Sequence, residues 1–555
     1  MRLNLRLLSS AVLKRPFYVT TPIFYVNAAP HLGHLYTALV ADAIQRFEKL
    51  TNPDCHVVFA TGTDEHGTKI QQAAAKAKLS PEEYCTNISN EYRELFKEYN
   101  VDYTDFIRTT EERHKTAVRH FWKKLVEEDH IYKAKYSGWY SVNDEAFVPE
   151  AHVKDEIRDG EKVKVSVESG HCVEWTEETN YMFRLSAFKT HLQEWLKNDG
   201  VVTPHKYQKQ LQEMLSAETY LPDISVSRPS SRVHWAIRVP GDEEQSIYVW
   251  LDALVNYLTV GGYPDQDAMK ARGRLWPADV HVVGKDILKF HGIYWPAFLM
   301  AARRAPPRRL LCHAHWTVCG GKMSKSRGGA VSPRAAPLPG EGLRYLLLRE
   351  ATMTADANYS ETKLINVANS ELADTLGNLA SRCCGAALNP RHEFPPLHAA
   401  ELAGLARRDP AADLMHRVER LPDICHTHYT NYNFYKAVDA VIKTLHIANL
   451  FFETQKPWEL RKKPELQKEL DVILHITMET LRICAIILQP IIPGMTTKLL
   501  DKLQISKDCR SWQHCETPSW NVQGAIYETK NIQSGKFVLF QRVYDKDVQK
   551  KKANA

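Results

Sequence analysis

FYVTTPIFYVNAAPHLGHLYTALVADAIQRFEKL, residues 17–50, changes its periodicity in the middle, and that change decides the fold. FYVTTPIFYV (17–26) is short, aromatic and β-branched, the pattern of a buried strand, whereas LYTALVADAIQRFEKL (35–50) places Leu35, Leu39, Ala43 and Phe47 on one helical face. Between them PHLGH (30–34) sets His31 and His34 around Gly33. Strand, glycine-containing turn and helix make a nucleotide-binding α/β opening, and CHVVFATGTDEHG (55–67) repeats it with an apolar strand that ends in a polar loop. Ligands in open α/β sheets collect at such carboxyl ends of strands. The two histidines alone leave metal ligation and structural packing open, since a metal needs further ligands. Their place at a helix N-terminus favours phosphate, because ring N–H groups and the helix dipole both suit an anion and Gly33 lets a flat base approach the backbone.

The rest of the chain fits a soluble multidomain protein. At 555 residues, 44% hydrophobic and 25% charged, it affords large cores, and its net charge of +6 is compatible with a polyanionic partner without demanding one. The 11 cysteines form no C-x-x-C pair, which removes disulfide-scaffold and thiolate-zinc readings. No apolar run is long enough for a membrane span. MRLNLRLLSSAVLKRPF (1–17) is basic, serine-containing and free of acids, so residues 1–16 read as a mitochondrial presequence and the matrix as the destination.

Residues 17–129 read as the first half of a Rossmann-type parallel-sheet domain. Residues 130–230, with short β-like pieces such as EKVKVSVESG, read as a connective insertion, and 231–318 as the second half. Residues 302–340, rich in Arg, Pro and Gly, read as mobile loops around GGKMSKSRGG (320–329), residues 319–360 as the unit that carries that loop and its contact region, and 361–555 as an all-helical domain with a tail. Lys322 and Lys325 on a glycine-bounded loop can fold over a triphosphate and screen charge as it develops on pyrophosphate.

HLGH and KMSKS, almost three hundred residues apart, are far more specific together than singly. With them the chain resembles a class I aminoacyl-tRNA synthetase. TTPIFYVNAAPHLGH, GTDEHG (62–67), YVWLDALVNY (248–257), GKDILKFH (284–291) and LGNLASR (376–382) extend the resemblance to the methionyl-tRNA synthetase family, from about residue 17 to about 500 and in matching order. The presequence resembles that of mitochondrial members. The resemblance implies ligation of L-methionine to tRNA(Met) through methionyl-adenylate, with ATP as substrate and Mg2+ on its phosphates; a monomer is expected because no appended dimerisation module is visible in the sequence. It implies that Ile23, Tyr25, Trp250, Ala253, Leu254, Tyr257 and His291 line a methionine pocket, a suitable wall for a polarizable thioether, with Asp64 on the ammonium group. His31, Gly33, His34, Gly284, Asp286, Lys322 and Lys325 would bind ATP, and His31, His34, Lys322 and Lys325 would stabilise the transition state. Asn378, Arg382 and Trp458 of QKPWEL would read the anticodon, Trp458 by stacking an unpaired base.

Two departures qualify the match. YSGWYSVNDEAF (136–147) has no cysteine and GHCVEW only Cys172, so no structural zinc is expected. Gly329 and Ala330 stand where many relatives have other residues after the lysine loop. The arginine- and proline-rich run AARRAPPRR (301–309) has no functional reading in the sequence. A branched-chain synthetase would be longer, a small nucleotidyltransferase would lack LGNLASR, and a binding-only paralogue would not need both signature motifs.

Overall fold

In the computed structural model, the 17–50 segment becomes two collinear strands, β1 (Phe17–Thr20) and β2 (Phe24–Tyr25), followed by helix α1 (Leu32–Thr51). The structure describes residues 15–141, 146–148, 150–158, 161–167, 169–217, 221–318, 321–322, 331–338, 340–522 and 530–544. Lys325, and the side chain of Lys322, lie outside that range. So do residues 1–14 of the expected presequence. Its last two residues belong to the fold: Arg15 Nη1 donates to the carbonyls of Leu275 (2.8 Å) and Pro277 (2.5 Å), and its guanidinium pairs with Asp279. Composition at the N-terminus cannot reveal a partner so distant in the chain.

Strands β3 (Val57–Asp64), β4 (Asp105–Arg108), β5 (Val202–Thr203), β6 (Val280–Gly284) and β7 (Leu310–His313) complete a seven-stranded sheet in which every pairing is parallel. β1 and β2 run in succession along one side of β3, Phe17 opposite Val57 and Phe24 opposite Thr63, while β4 takes the other side. The order is therefore β5, β7, β6, β1 with β2, β3, β4. A parallel sheet needs both faces covered. That is why α1 buries Tyr36, Val40 and Ile44 in addition to the expected Leu35, Leu39, Ala43 and Phe47: it lies between the sheet and a helix of the C-terminal half.

The 130–230 span is largely a separate β unit, with Ile131–Ser141 antiparallel to Glu174–Phe183 in a four-stranded sheet. It also contributes β5 to the central sheet, where Val202 faces Leu310. Two residues give no periodicity, so this strand was invisible in the sequence. Helix α2 (Glu112–Glu127) precedes the β unit, and helix α3 (Val249–Val260) follows it.

The arginine run is structural. Arg303 pairs with Glu128, Arg304 lies 4.5 Å over the Tyr263 ring, Arg308 pairs with Asp279, and Arg309 Nη1 donates to the Tyr432 hydroxyl at 2.9 Å. Tyr432 belongs to the helical half, where α4 (Glu341–Glu350) is followed by the long helices α5 (Ala411–Thr430), α6 (Phe434–Gln455) and α7 (Gln467–Leu488) around a continuous apolar core. Arg344 of α4 is fully buried and pairs with Asp42 of α1 at 2.5 Å while donating to the carbonyls of Ile491 (2.6 Å) and Pro490 (2.8 Å). One guanidinium thus joins the signature-motif helix to the helical half. No described helix is long and apolar enough to cross a membrane.

Candidate active site

The carboxyl ends of β1, β3, β6 and β7 open onto one cavity of about 310 Å³. Ile23 and Tyr25 reach it from the end of β1 and from β2, Asp64 from β3, and Gly284 and Asp286 from β6. His31, Gly33 and His34 enter from the start of α1, Trp250, Ala253, Leu254 and Tyr257 from α3, and His291 from the segment after β6. Every one of these residues proposed from the sequence therefore lines the same space.

The histidine turn has defined proton positions. His31 is the N-cap of α1: its Nδ1 accepts from the Gly33 N–H at 3.1 Å, and the His31 N–H donates to His34 Nδ1 at 3.3 Å. A backbone N–H can only donate, so in each neutral ring Nε2 carries the hydrogen. The Tyr92 hydroxyl lies 2.9 Å from the same His34 nitrogen, and the two imidazoles stack at 3.7 Å. Two ring N–H donors at a helix N-terminus are groups whose chemistry suits an anion. A Cβ on Gly33 would come within 3.0 Å of the His31 ring, and one on Gly284 within 2.6 Å of Asp286 Oδ1, so a side chain at either position would have to displace these neighbours.

The GTDEHG loop is fastened below the cavity. Glu65 is buried and receives Arg108 through two bonds, Nε at 2.8 Å and Nη2 at 3.1 Å, together with the Thr63 hydroxyl at 2.7 Å. His66 Nδ1 lies 2.7 Å from Asp252 Oδ2, and His114 Nε2 of α2 lies 2.8 Å from Asp252 Oδ1. Burial alone would raise the Asp252 carboxyl, but the two histidines more than offset it and hold it at about 2. Asp252 sits on α3 between Trp250 and Ala253, so this trio positions the pocket helix against the Asp64 loop. Asp252→Ala strands two buried imidazoles without their acceptor. It is expected to cost about 2–3 kcal/mol in chemical denaturation and to raise the methionine KM, whereas a surface Asp→Ala should move neither.

Several residues at the site gave no sequence signal. Phe290 stacks on Trp250 at 3.6 Å and 9°, and Lys69 lies 5.7 Å over the Tyr25 ring. Phe290–Tyr294 is a π-helical turn, a local widening that aims His291 inward and is invisible to a 3.6-residue pattern. His313 at the end of β7 and His315 and Trp316 just past it line the same cavity, and His315 Nε2 is 3.1 Å from Asp286 Oδ1.

The residues expected to read the anticodon form a second group. Asn378 is exposed and begins a helical turn directly after another π-helical segment, Ala368–Gly377. Arg382, four residues on, pairs with Glu453 and lies 5.3 Å over the Trp458 ring and 4.9 Å over Phe452.

The family model described as tRNA synthetases class I (M) matches residues 17–384, and one for the anticodon-binding domain of tRNA ligase matches 412–548. The human mitochondrial methionine–tRNA ligase is 47% identical over 508 residues, covering 89% of this chain and 85% of that one. The chain belongs to the methionyl-tRNA synthetase family. The mitochondrial methionine–tRNA ligase of Takifugu rubripes is 43% identical over 95% of this chain and 90% of its own length. The crystal structure of Mycobacterium tuberculosis methionyl-tRNA synthetase bound by methionyl-adenylate superposes with a TM-score of 0.85 at 36% identity, covering 95% of this chain and all of that one. Family membership makes the chain an ATP-dependent methionine–tRNA ligase with a class I catalytic domain followed by a helical anticodon-binding domain.

Proposed function

We infer that the cavity binds methionine at its aromatic end and ATP at its histidine end, and that the enzyme works as a monomer on tRNA(Met) in the mitochondrial matrix. The observation that carries the assignment is the convergence of Asp64, the His31–Gly33–His34 turn and the Trp250–Tyr257–His291 wall on one space. Asp64 takes the ammonium group, Ile23, Tyr25, Trp250, Ala253 and Leu254 enclose the thioether chain, and Tyr257 and His291 close its end. The carboxylate of methionine attacks the α-phosphorus, forming methionyl-adenylate and releasing pyrophosphate. Because the amino acid is the nucleophile, the protein supplies position and charge. Nε2–H groups of His31 and His34 donate to phosphate oxygens as charge builds, and Lys322 and Lys325 neutralise the leaving pyrophosphate. Gly284 and Asp286 border the nucleoside.

Magnesium enters on the nucleotide's phosphates. Among the described residues no three His, Cys, Asp or Glu side chains converge as a metal site. In the second step the 2′-hydroxyl of the terminal tRNA adenosine takes the methionyl group. Asn378, Arg382 and Trp458 read the anticodon, the guanidinium backing the ring on which a base stacks.

Purified protein is expected to exchange labelled pyrophosphate into ATP with methionine and without tRNA. Exchange with leucine or isoleucine and none with methionine would refute the specificity. Lys325→Ala should slow exchange about a hundredfold with tRNA binding retained, and Trp458→Ala should weaken tRNA binding with exchange retained. Equal losses for both variants in both assays would show that the two halves do not divide the work in this way.

A further inference from the structure

A second cavity, of about 260 Å³, lies at the opposite end of the sheet from the active site. Phe17 at the start of β1, Asp279 just before β6, and Arg308 and Arg309 just before β7 line it from the catalytic half, together with the last turns of α1. The α5–α6 junction lines it from the helical half, so the cavity sits in the seam between the two. Much of its wall is hydrocarbon: Ile44, Phe47, Tyr429 and Phe434 are buried, and Phe47 stacks on Tyr429 at 4.9 Å.

Two lining residues of opposite charge are left without a counter-ion. Glu48 of α1 receives only a long bond, 3.5 Å, from the Asn52 amide. Burial pushes its carboxyl above the usual range, and Asp279 nearby adds to that. Asp279 itself is already satisfied, by Arg15, by Arg308 at 3.2 Å and by the Tyr18 N–H at 2.8 Å. Arg309 is held by neutral groups alone: its Nε donates to the Gly200 carbonyl at 3.2 Å and its Nη1 to the Tyr432 hydroxyl at 2.9 Å. Among the described residues neither Glu48 nor Arg309 belongs to an ion pair. Tyr432 senses both, since burial raises its hydroxyl, Arg309 lowers it and Glu48 raises it again. Charges withdrawn from water without partners cost free energy, and a ligand of complementary charge recovers it.

We propose that the seam cavity binds a free α-amino acid with an apolar side chain, its ammonium group on Glu48, its carboxylate on Arg309 and its side chain among the rings of Phe47, Tyr429 and Phe434. An α-amino acid carries both charges and a hydrocarbon on one carbon, which is the combination this wall presents. An amine alone would leave Arg309 unpaired and set a second cation beside it, whereas a carboxylate alone would meet Glu48 and Asp279. The zwitterion answers both charges at once. The cavity is little smaller than the 310 Å³ of the active-site cavity. A ligand here would bridge α1, whose amino end carries the His31–Gly33–His34 turn, to the helical half, and would stabilise that junction by mass action.

The test is calorimetric titration of the full chain with L-phenylalanine and L-leucine, and with two analogues that each lack one charge. Phenethylamine has no carboxylate, and N-acetyl-L-phenylalanine has no ammonium group. Both amino acids are expected to bind at millimolar concentrations, and each analogue should bind at least about tenfold more weakly than L-phenylalanine, the worth of one hydrogen bond to a charged group. Glu48→Gln and Arg309→Gln should each weaken L-phenylalanine about tenfold for the same reason. Asp64→Asn, which alters the active-site cavity, should leave that affinity unchanged. If neither amino acid binds, the proposal is overturned. An analogue that binds as tightly as L-phenylalanine also overturns it, because only one of the two charges would then be read. Affinity that falls in Asp64→Asn and holds in Glu48→Gln would put the amino acid in the active-site cavity instead. Should a glutamine variant fail to fold, the two analogues on the wild type and the Asp64→Asn titration still decide.

Discussion

Asp64→Asn is expected to lower kcat/KM for methionine in pyrophosphate exchange about a thousandfold, with thermal stability little changed. Asp64 ends β3 opposite Tyr25 of β2, is 8% exposed, and faces the cavity. Asp64 and Asp286 are the two carboxylates among the described lining residues, and the proposed placement of methionine sets its ammonium group against Asp64. Removing one partner of a desolvated charge pair costs about 2–5 kcal/mol, and 1.4 kcal/mol is a factor of ten. Asparagine keeps the volume and the oxygen and loses only the charge, so the loss isolates that charge. Asp64→Glu, which keeps the charge and displaces it, should fall between. Wild-type kcat/KM for methionine in the asparagine variant would remove Asp64 from ammonium recognition.

The chain's sequence carried the parts of this structure that are periodic or sterically demanding. The aromatic, β-branched run before PHLGH and the helical spacing after it located one strand, which the structure divides into β1 and β2, and α1, and the polar ends of the apolar runs located the rim of the sheet on which the cavity opens. The proton positions of His31 and His34 were not legible, because they follow from which nitrogen meets a backbone N–H. β5 has two residues and no pattern. The π-helical turns at Phe290–Tyr294 and Ala368–Gly377 break the periodicity that would reveal a helix face, and both adjoin residues assigned to function. The role of AARRAPPRR was hidden for a different reason: its partners Glu128, Tyr263, Asp279 and Tyr432 are scattered through the chain and only folding gathers them. The lysine loop is the reverse case, legible in sequence and outside the described residues.

Arg344→Met is expected to destabilise the protein by about 3–5 kcal/mol, the cost of leaving a buried ion pair half broken. Arg344 and Asp42 both have side chains at 0% exposure, so neither can turn to water when its partner is lost. Burial alone would raise the Asp42 carboxyl, but Arg344, Arg46 and the N–H of Asp102 more than offset it, and the group sits below its ordinary value. A carboxylate depressed in the folded state adds stability that is present above its unfolded pKa, about 3.9, and is lost as pH falls through the lower folded value. The methionine variant loses most of that term, so its deficit should be largest near neutrality and shrink below about pH 4, as the wild type gives up the same contribution. Asp42→Asn combined with Arg344→Met removes both charges and should recover part of the loss, because the pair as a whole is worth far less than either half left alone. The two halves of the chain should also melt less cooperatively in Arg344→Met, since the guanidinium's bonds to Ile491 and Pro490 are among those that tie α1 to the helical half. Denaturant unfolding followed by pH-dependent melting of the wild type and the two variants measures each of these effects. A deficit that is independent of pH would mean that the lost packing of the arginine stem, and not its charge, holds this junction.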